Sequence, residues 1–190
     1  MTTPAAPFDG GRLADARRVA ESVADPELPP LTIGELGIVR EVRAGASGGV
    51  IVTVTPTYSG CPAAEYIEQR IAEVLDAEGF GPVEVERVFS PAWSTDWMTE
   101  SGRRKLADAG IAPPIDLHAP GEVAVALPRR ATPHTAAPRR SADAPTAATP
   151  PCPRCGSADT ELISRFGSTA CKALCRCRSC HEPVDYFKPI

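Results

Sequence analysis

The chain has 190 residues, of which 21 are proline, about twice the usual share of about 5 %. A hydrophobic content of 43 % still allows a core, so the length leaves room for one medium domain and one small module and excludes a large multidomain enzyme. The formal net charge is −4, no apolar run approaches the roughly 20 residues that cross a bilayer, and no basic segment precedes Asp9. The expectation is a cytoplasmic protein without a membrane partner.

Charge divides the chain into three stretches. Residues 1–127 carry 10 Lys+Arg against 19 Asp+Glu, a net −9 that disfavours a nucleic-acid partner. Residues 128–151 hold six prolines, two Arg-Arg pairs and no aliphatic or aromatic residue larger than alanine, the composition of a solvated, semi-extended linker. Residues 152–190 hold six of the seven cysteines. The expected domains are therefore an α/β domain over 1–127, a linker over 128–151 and a small module over 152–190.

In chain order, Leu13, Ala16, Ala20 and Val23 recur at helical spacing, and the pattern stops before Asp25-Pro26 because proline disfavours helix in the residue before it. Residues 37–42 and 49–55 are β-rich and joined across Gly48-Gly49, which reads as an antiparallel pair with a glycine turn. Residues 61–80 place Ile67, Ile71, Val74 and Leu75 on one stripe, with Gly79 as a helix stop. Residues 82–89 alternate as a third strand, with Val83, Val85 and either Val88 or Phe89 turned to the core. Trp93 and Trp97 lead into a short helix over 99–110, and residues 123–127 read as an edge strand or part of a tail. The fold class is α/β (α+β): a three- or four-stranded mixed sheet with packed helices, followed by a zinc-ribbon-like module.

The module's signal is chemical. Cys152 and Cys155, then Cys177 and Cys180, are two CxxC knuckles separated by 21 residues. Tetrahedral zinc takes four thiolates at roughly 2.3 Å, and each knuckle delivers two from one tight turn. Gly156 permits the positive φ needed after the second ligand, and in so small a module a structural zinc supplies most of the folding free energy. Cys171 and Cys175 are extra thiols. Six thiols in 29 positions also admit an iron-sulfur cluster or a redox pair, and as strand residues these two read as buried small hydrophobes; paired spacing favours zinc on the four CxxC positions, and His181 reads as an exposed polar residue. With six Lys+Arg against four Asp+Glu, four thiolates and one Zn²⁺ bring the module to neutrality, which favours protein contact over phosphate.

Cys61 stands alone in the first 127 residues. Pro62 suits a first helical position, which places Cys61 at or beside a helix N-cap, where the macrodipole and free amides lower a thiol's pKa. The alternative is a buried structural cysteine.

Asp25 through Pro29, residues 33–39, residues 55–62 with Cys61, and residues 90–93 resemble the iron-sulfur cluster assembly domain of SufT-like maturation factors. Residues 94–114, followed by the double-CxxC tail with residues 168–174 and 185–188, resemble more narrowly the PaaD (PaaJ) family of the phenylacetyl-CoA epoxidase system. The resemblance covers both domains. It implies an accessory subunit in aerobic phenylacetate degradation, not itself catalytic, that assists iron-sulfur cluster assembly or insertion into the flavin and iron-sulfur reductase. It further implies a transient cluster, with Cys61 as the cluster or iron contact and Asp25 and Glu27 as the adjoining acidic motif. Cys175 stands where the family pattern has an aromatic residue, and Pro189 where it has a cysteine. Two other readings remain: a zinc-ribbon interaction or scaffold protein without a cluster role, and a cysteine-dependent enzyme with Cys61 as nucleophile and His118 as base.

Overall fold

The structure, a computed structural model, describes residues 9–46, 48–115 and 149–190. Helix α1 (Gly10–Glu21) starts where the Asp9 carboxylate accepts the Arg12 amide at 2.8 Å, and it buries Ala16 and Ala20. It ends at Ser22, short of the expected stop, because the Ser22 hydroxyl donates to the Val19 carbonyl and the following residues leave the axis to form the Ala24–Thr32 bridge. Strands β1 (Val39–Ala44) and β2 (Val50–Val54) pair antiparallel, with Gly48 at φ 84° in the turn. Helix α2 (Ala64–Ala77) buries Ile67, Ile71 and Leu75, with Val74 half-buried beside them, and gives way before Gly79 at φ 78°. Strand β3 (Val83–Arg87) returns parallel to β2, so the three-stranded sheet is mixed, in the order β1-β2-β3.

Val88 continues the β3 line by donating to the Val54 carbonyl, but Phe89 is 52 % exposed and does not face the core. The ladder stops at Arg87, whose guanidinium pairs with Glu68 on α2, and the chain has left the sheet by Phe89. A 3₁₀ turn (Thr95–Trp97) then leads into α3 (Glu100–Asp108), capped by the Thr99 hydroxyl accepting from Gly102. Glu35 fastens α3 to the domain by accepting from Ser101 and Lys105.

A second sheet, in the order β4-β7-β6-β5, combines β4 (Ile111–Ala112) with β5 (Thr160–Ser164), β6 (Lys172–Cys177) and β7 (Pro183–Phe187). The ribbon hairpins are antiparallel, while β4 joins β7 parallel through Ile111–Asp185 and Ala112–Tyr186. Residues before the linker thus complete the ribbon's sheet. The ribbon in turn completes the first core: Cys171 and fully buried Phe187 belong to it, the Phe187 ring meets Trp93 edge-on at 6.0 Å, and the Thr95 amide donates to the Ile190 carbonyl at 3.1 Å. The strand reading of residues 123–127, His118 and most of the linker lie outside the described residues. No helix among the described residues is long and apolar enough to cross a membrane.

Candidate functional site

Two constellations carry chemistry. The first is the set of four tail thiols. Cys152 and Cys155 precede β5, Cys177 ends β6 and Cys180 closes the turn before β7, so the β5-β6-β7 meander brings the knuckles face to face. All four Sγ atoms lie within 4.8 Å of one another, with Cys152–Cys180 at 3.8 Å and Cys155–Cys177 at 3.6 Å. These spacings exclude disulfides at about 2.05 Å. Sulfurs about 2.3 Å from a common centre in a tetrahedron stand about 3.8 Å apart, so the donor set fits one thiophilic metal ion. The amide of Cys180 donates to Cys177 Sγ at 3.5 Å, and with the Ser179 amide it draws the Cys177 thiol down to about 6, towards the ligand form. Gly156 follows Cys155 at φ 73°, and His181, exposed, follows Cys180 at φ 63°. The knuckles share one backbone geometry, for which only the first has a glycine.

The second constellation surrounds Cys61. A cavity of about 20 Å³ is lined by Asp25 and Glu27 from the loop after α1, Cys61 from the turn before α2, and Cys171 and Phe187 from the ribbon. Each lining group has a local reason for its place. Asp25, 6 % exposed, uses Oδ1 to accept the amides of Glu27 and Leu28, both at 2.8 Å, and this turn folds the acidic loop back over the cavity. Cys61 is half-buried, its amide donating to the Tyr58 carbonyl and its own carbonyl accepting from Ala64. Cys171, 3 % exposed, lies 3.0 Å from the Thr169 hydroxyl and is held at the seam by the Lys188 amide donating to its carbonyl.

The expected electrostatics of Cys61 are overturned. The α2 cap is Ala63, whose side chain makes no capping bond, so Cys61 sits outside the first helical turn. Burial pushes its thiol up rather than down; the Ala63 amide opposes this, while Glu27, Asp25 and Cys171 add to it. The same cause raises Asp25, against the Leu28 and Glu27 amides and the charge of Lys172, and it raises Glu27, with Asp25 adding to the shift. Cys171 is likewise raised by burial, against the Thr169 hydroxyl and Lys172. Burial thus disfavours the ionised form of all four groups.

Cys171 and Cys175 part company. Both are buried and neither is helical, but Cys171 faces the cavity and the first core, whereas Cys175 packs in the ribbon core with Cys177, Val184 and Tyr186. The sequence reading missed Lys172: it is 6 % exposed, its Nζ lies 3.4 Å from Asp185, and its charge acts on Asp25, Glu27 and Cys171. Its place directly after Cys171 on a strand was the available signal. His118, the base in the enzyme reading, lies outside the described residues.

Two protein families match different parts of the chain. The PaaD zinc beta ribbon domain matches residues 136–188, and the iron-sulfur cluster assembly protein family matches residues 13–86. A putative 1,2-phenylacetyl-CoA epoxidase subunit of Escherichia coli (strain K12) is 46 % identical over 172 residues, which span 88 % of this chain and 87 % of that one. An "Fe-S protein maturation auxiliary factor" of Porphyromonas gingivalis (strain ATCC BAA-308 / W83) is 36 % identical over 93 residues, 48 % of this chain and 88 % of the relative. The "Fe-S protein maturation auxiliary factor SufT" of Staphylococcus aureus (strain USA300) is 36 % identical over 85 residues, 44 % of this chain and 96 % of the relative.

Proposed function

The chain belongs to the PaaD family of phenylacetyl-CoA epoxidase subunits, and from that premise we propose that it is an accessory component of the epoxidase system which assists iron-sulfur cluster assembly or insertion into the reductase. The observation that carries this reading is the cavity in which Cys61, Asp25 and Glu27 converge, in a domain matched by an iron-sulfur assembly family and closed by a strand of the ribbon. In this role Cys61 contacts iron or cluster, and Asp25 and Glu27 supply the negative charge that draws a cation to it. The cluster is cargo, held transiently.

The ribbon has a separate duty. Cys152, Cys155, Cys177 and Cys180 hold one structural zinc, whose chemistry is to fix the two knuckles together and so fold the β5-β6-β7 meander. The chain's own residues prepare that site: the Cys180 and Ser179 amides favour a thiolate at Cys177, and the ribbon sheet carries Phe187 onto the first core. The domains follow as an assembly domain over 1–127, a linker over 128–151 and the ribbon over 152–190, acting in the cytoplasm.

The test is made in cells growing on phenylacetate. With Cys61→Ala replacing the wild type, the iron and acid-labile sulfide bound to purified reductase should fall to the level of cells lacking the protein, and epoxidase activity should fall with it. Normal reductase clusters in that strain would sink the maturation role and leave the interaction-protein reading.

A further inference from the structure

The cavity beside Cys61 is not a property of the assembly domain alone, because one of its two thiols comes from the ribbon. Resting on the maturation reading above, we infer that Cys61 and Cys171, with Asp25 and Glu27, form a second metal site that takes a single divalent ion of the iron class and is complete only when the ribbon is seated.

About 20 Å³ accommodates one water-sized particle, the size of a single ion. The donors decide the class of ion: two thiols and two carboxylates are a mixed soft and hard set, suited to ferrous iron or zinc and unsuited to magnesium or calcium. Charge gives the reason for a cation. Fully ionised, the four groups carry −4; Lys172, which acts on Asp25, Glu27 and Cys171, also lies 3.4 Å from Asp185, and Asp25, Cys171 and Lys172 are each at least nine-tenths buried. A divalent ion held by ionised thiols and carboxylates offsets the negative charge that burial disfavours.

The site is half built in advance. Asp25 and Cys171 are fixed, the first by its two amide bonds and the second by the Lys188 amide on its carbonyl and by Thr169. Glu27 and Cys61 are half-buried. Among the described residues only the four tail cysteines already stand at mutual coordinating distance, so the ion is captured by rotation of Cys61 and Glu27 towards the fixed pair.

The test uses full-length protein with its ribbon metal in place, titrated anaerobically with Co²⁺, a spectroscopic substitute for ferrous iron. The expected result is one further equivalent with thiolate-to-cobalt charge-transfer absorption. That absorption should fall by about half in Cys61→Ser and in Cys171→Ser and vanish in the double variant, and each single variant should bind at least about 10-fold more weakly. Cys171→Ala, which keeps the buried position apolar, should give the same loss as Cys171→Ser, with an unchanged circular dichroism spectrum and ribbon metal content. No further equivalent in the wild type, or wild-type titration by both Cys171 variants, overturns the inference. Binding lost only with Cys61 overturns the shared site and leaves the maturation reading standing. Binding through both thiols, combined with normal reductase clusters in Cys61→Ala cells, keeps the site and removes the maturation reading.

Discussion

At the scale of single residues, Asp25 is placed where its ionisation works against folding. Burial raises its pKa above the ordinary 3.8 despite two amide donors and Lys172. A carboxylate raised in the fold contributes stability that is present below its unfolded pKa and is lost as pH climbs through the folded one. Asp25→Asn keeps an oxygen for the Glu27 and Leu28 amides and removes the charge. Denaturant unfolding across a pH series should therefore show the variant gaining on the wild type from about pH 4 upward and holding a constant advantage above the raised pKa. A gap that narrows with rising pH would refute this reading of the site. The sequence marks Asp25-Pro26 only as a helix stop, and the turn in which Asp25 accepts amides two and three residues on is seen in the structure. The upward push on the Cys61 thiol is not legible: its burial depends on Cys171 and Phe187, which the tail brings back from far along the chain.

At the scale of elements, local pattern identified most of the structure. Helical spacing found α1 and α2, β-rich runs about a glycine turn found β1 and β2, and alternation found β3. What pattern could not supply were the ends set by side-chain contacts, such as α1 stopping at Ser22 and Phe89 falling outside the sheet. The knuckles show what an element asks of its residues. Both CxxC turns place the following residue in the left-handed region, Gly156 without steric cost and His181 against the Cβ penalty. His181→Gly should raise the stability of the metal-loaded ribbon by up to about 1 kcal/mol, and Gly156→Ala should lower it by about 1–2 kcal/mol. Competition with a chelator for the ribbon metal measures both, and equal affinities across the three proteins would refute the geometric account. The start of the parallel β2-β3 pair is tighter. A Cβ on Gly49 would collide with the Pro82 carbonyl, the same oxygen that accepts the Val50 amide at 3.0 Å. The sequence reading saw Gly48-Gly49 only as a turn, because the partner at Gly49 arrives through the parallel return of β3.

At the scale of the whole molecule, the two modules are joined more closely than a Pro-rich linker implies. β4 from the first segment is an edge of the ribbon's sheet, and Phe187 from the ribbon fills the core of the first. The seam has a built-in reporter. Trp93 is 3 % exposed, its indole N–H donates to the Leu36 carbonyl at 2.9 Å, and its ring lies against Phe187. If the ribbon metal seats β7, then stripping it must uncover Trp93, which lies outside the ribbon. In a Trp97→Phe background, where Trp93 is the sole tryptophan, a chelator strong enough to remove the metal should shift the emission to the red, and adding metal back should reverse the shift. Phe187→Ala should reproduce the shift with metal still bound, at a cost of about 3–5 kcal/mol. Metal loss without a change in Trp93 emission would mean that the seam holds without the folded ribbon, and Cys171 would then remain beside Cys61 whether or not the knuckles are closed. A coupled response instead places the four tail thiols in control of the cavity: the ribbon metal sets whether Cys171 is present there, and with it whether the site has two thiols or one.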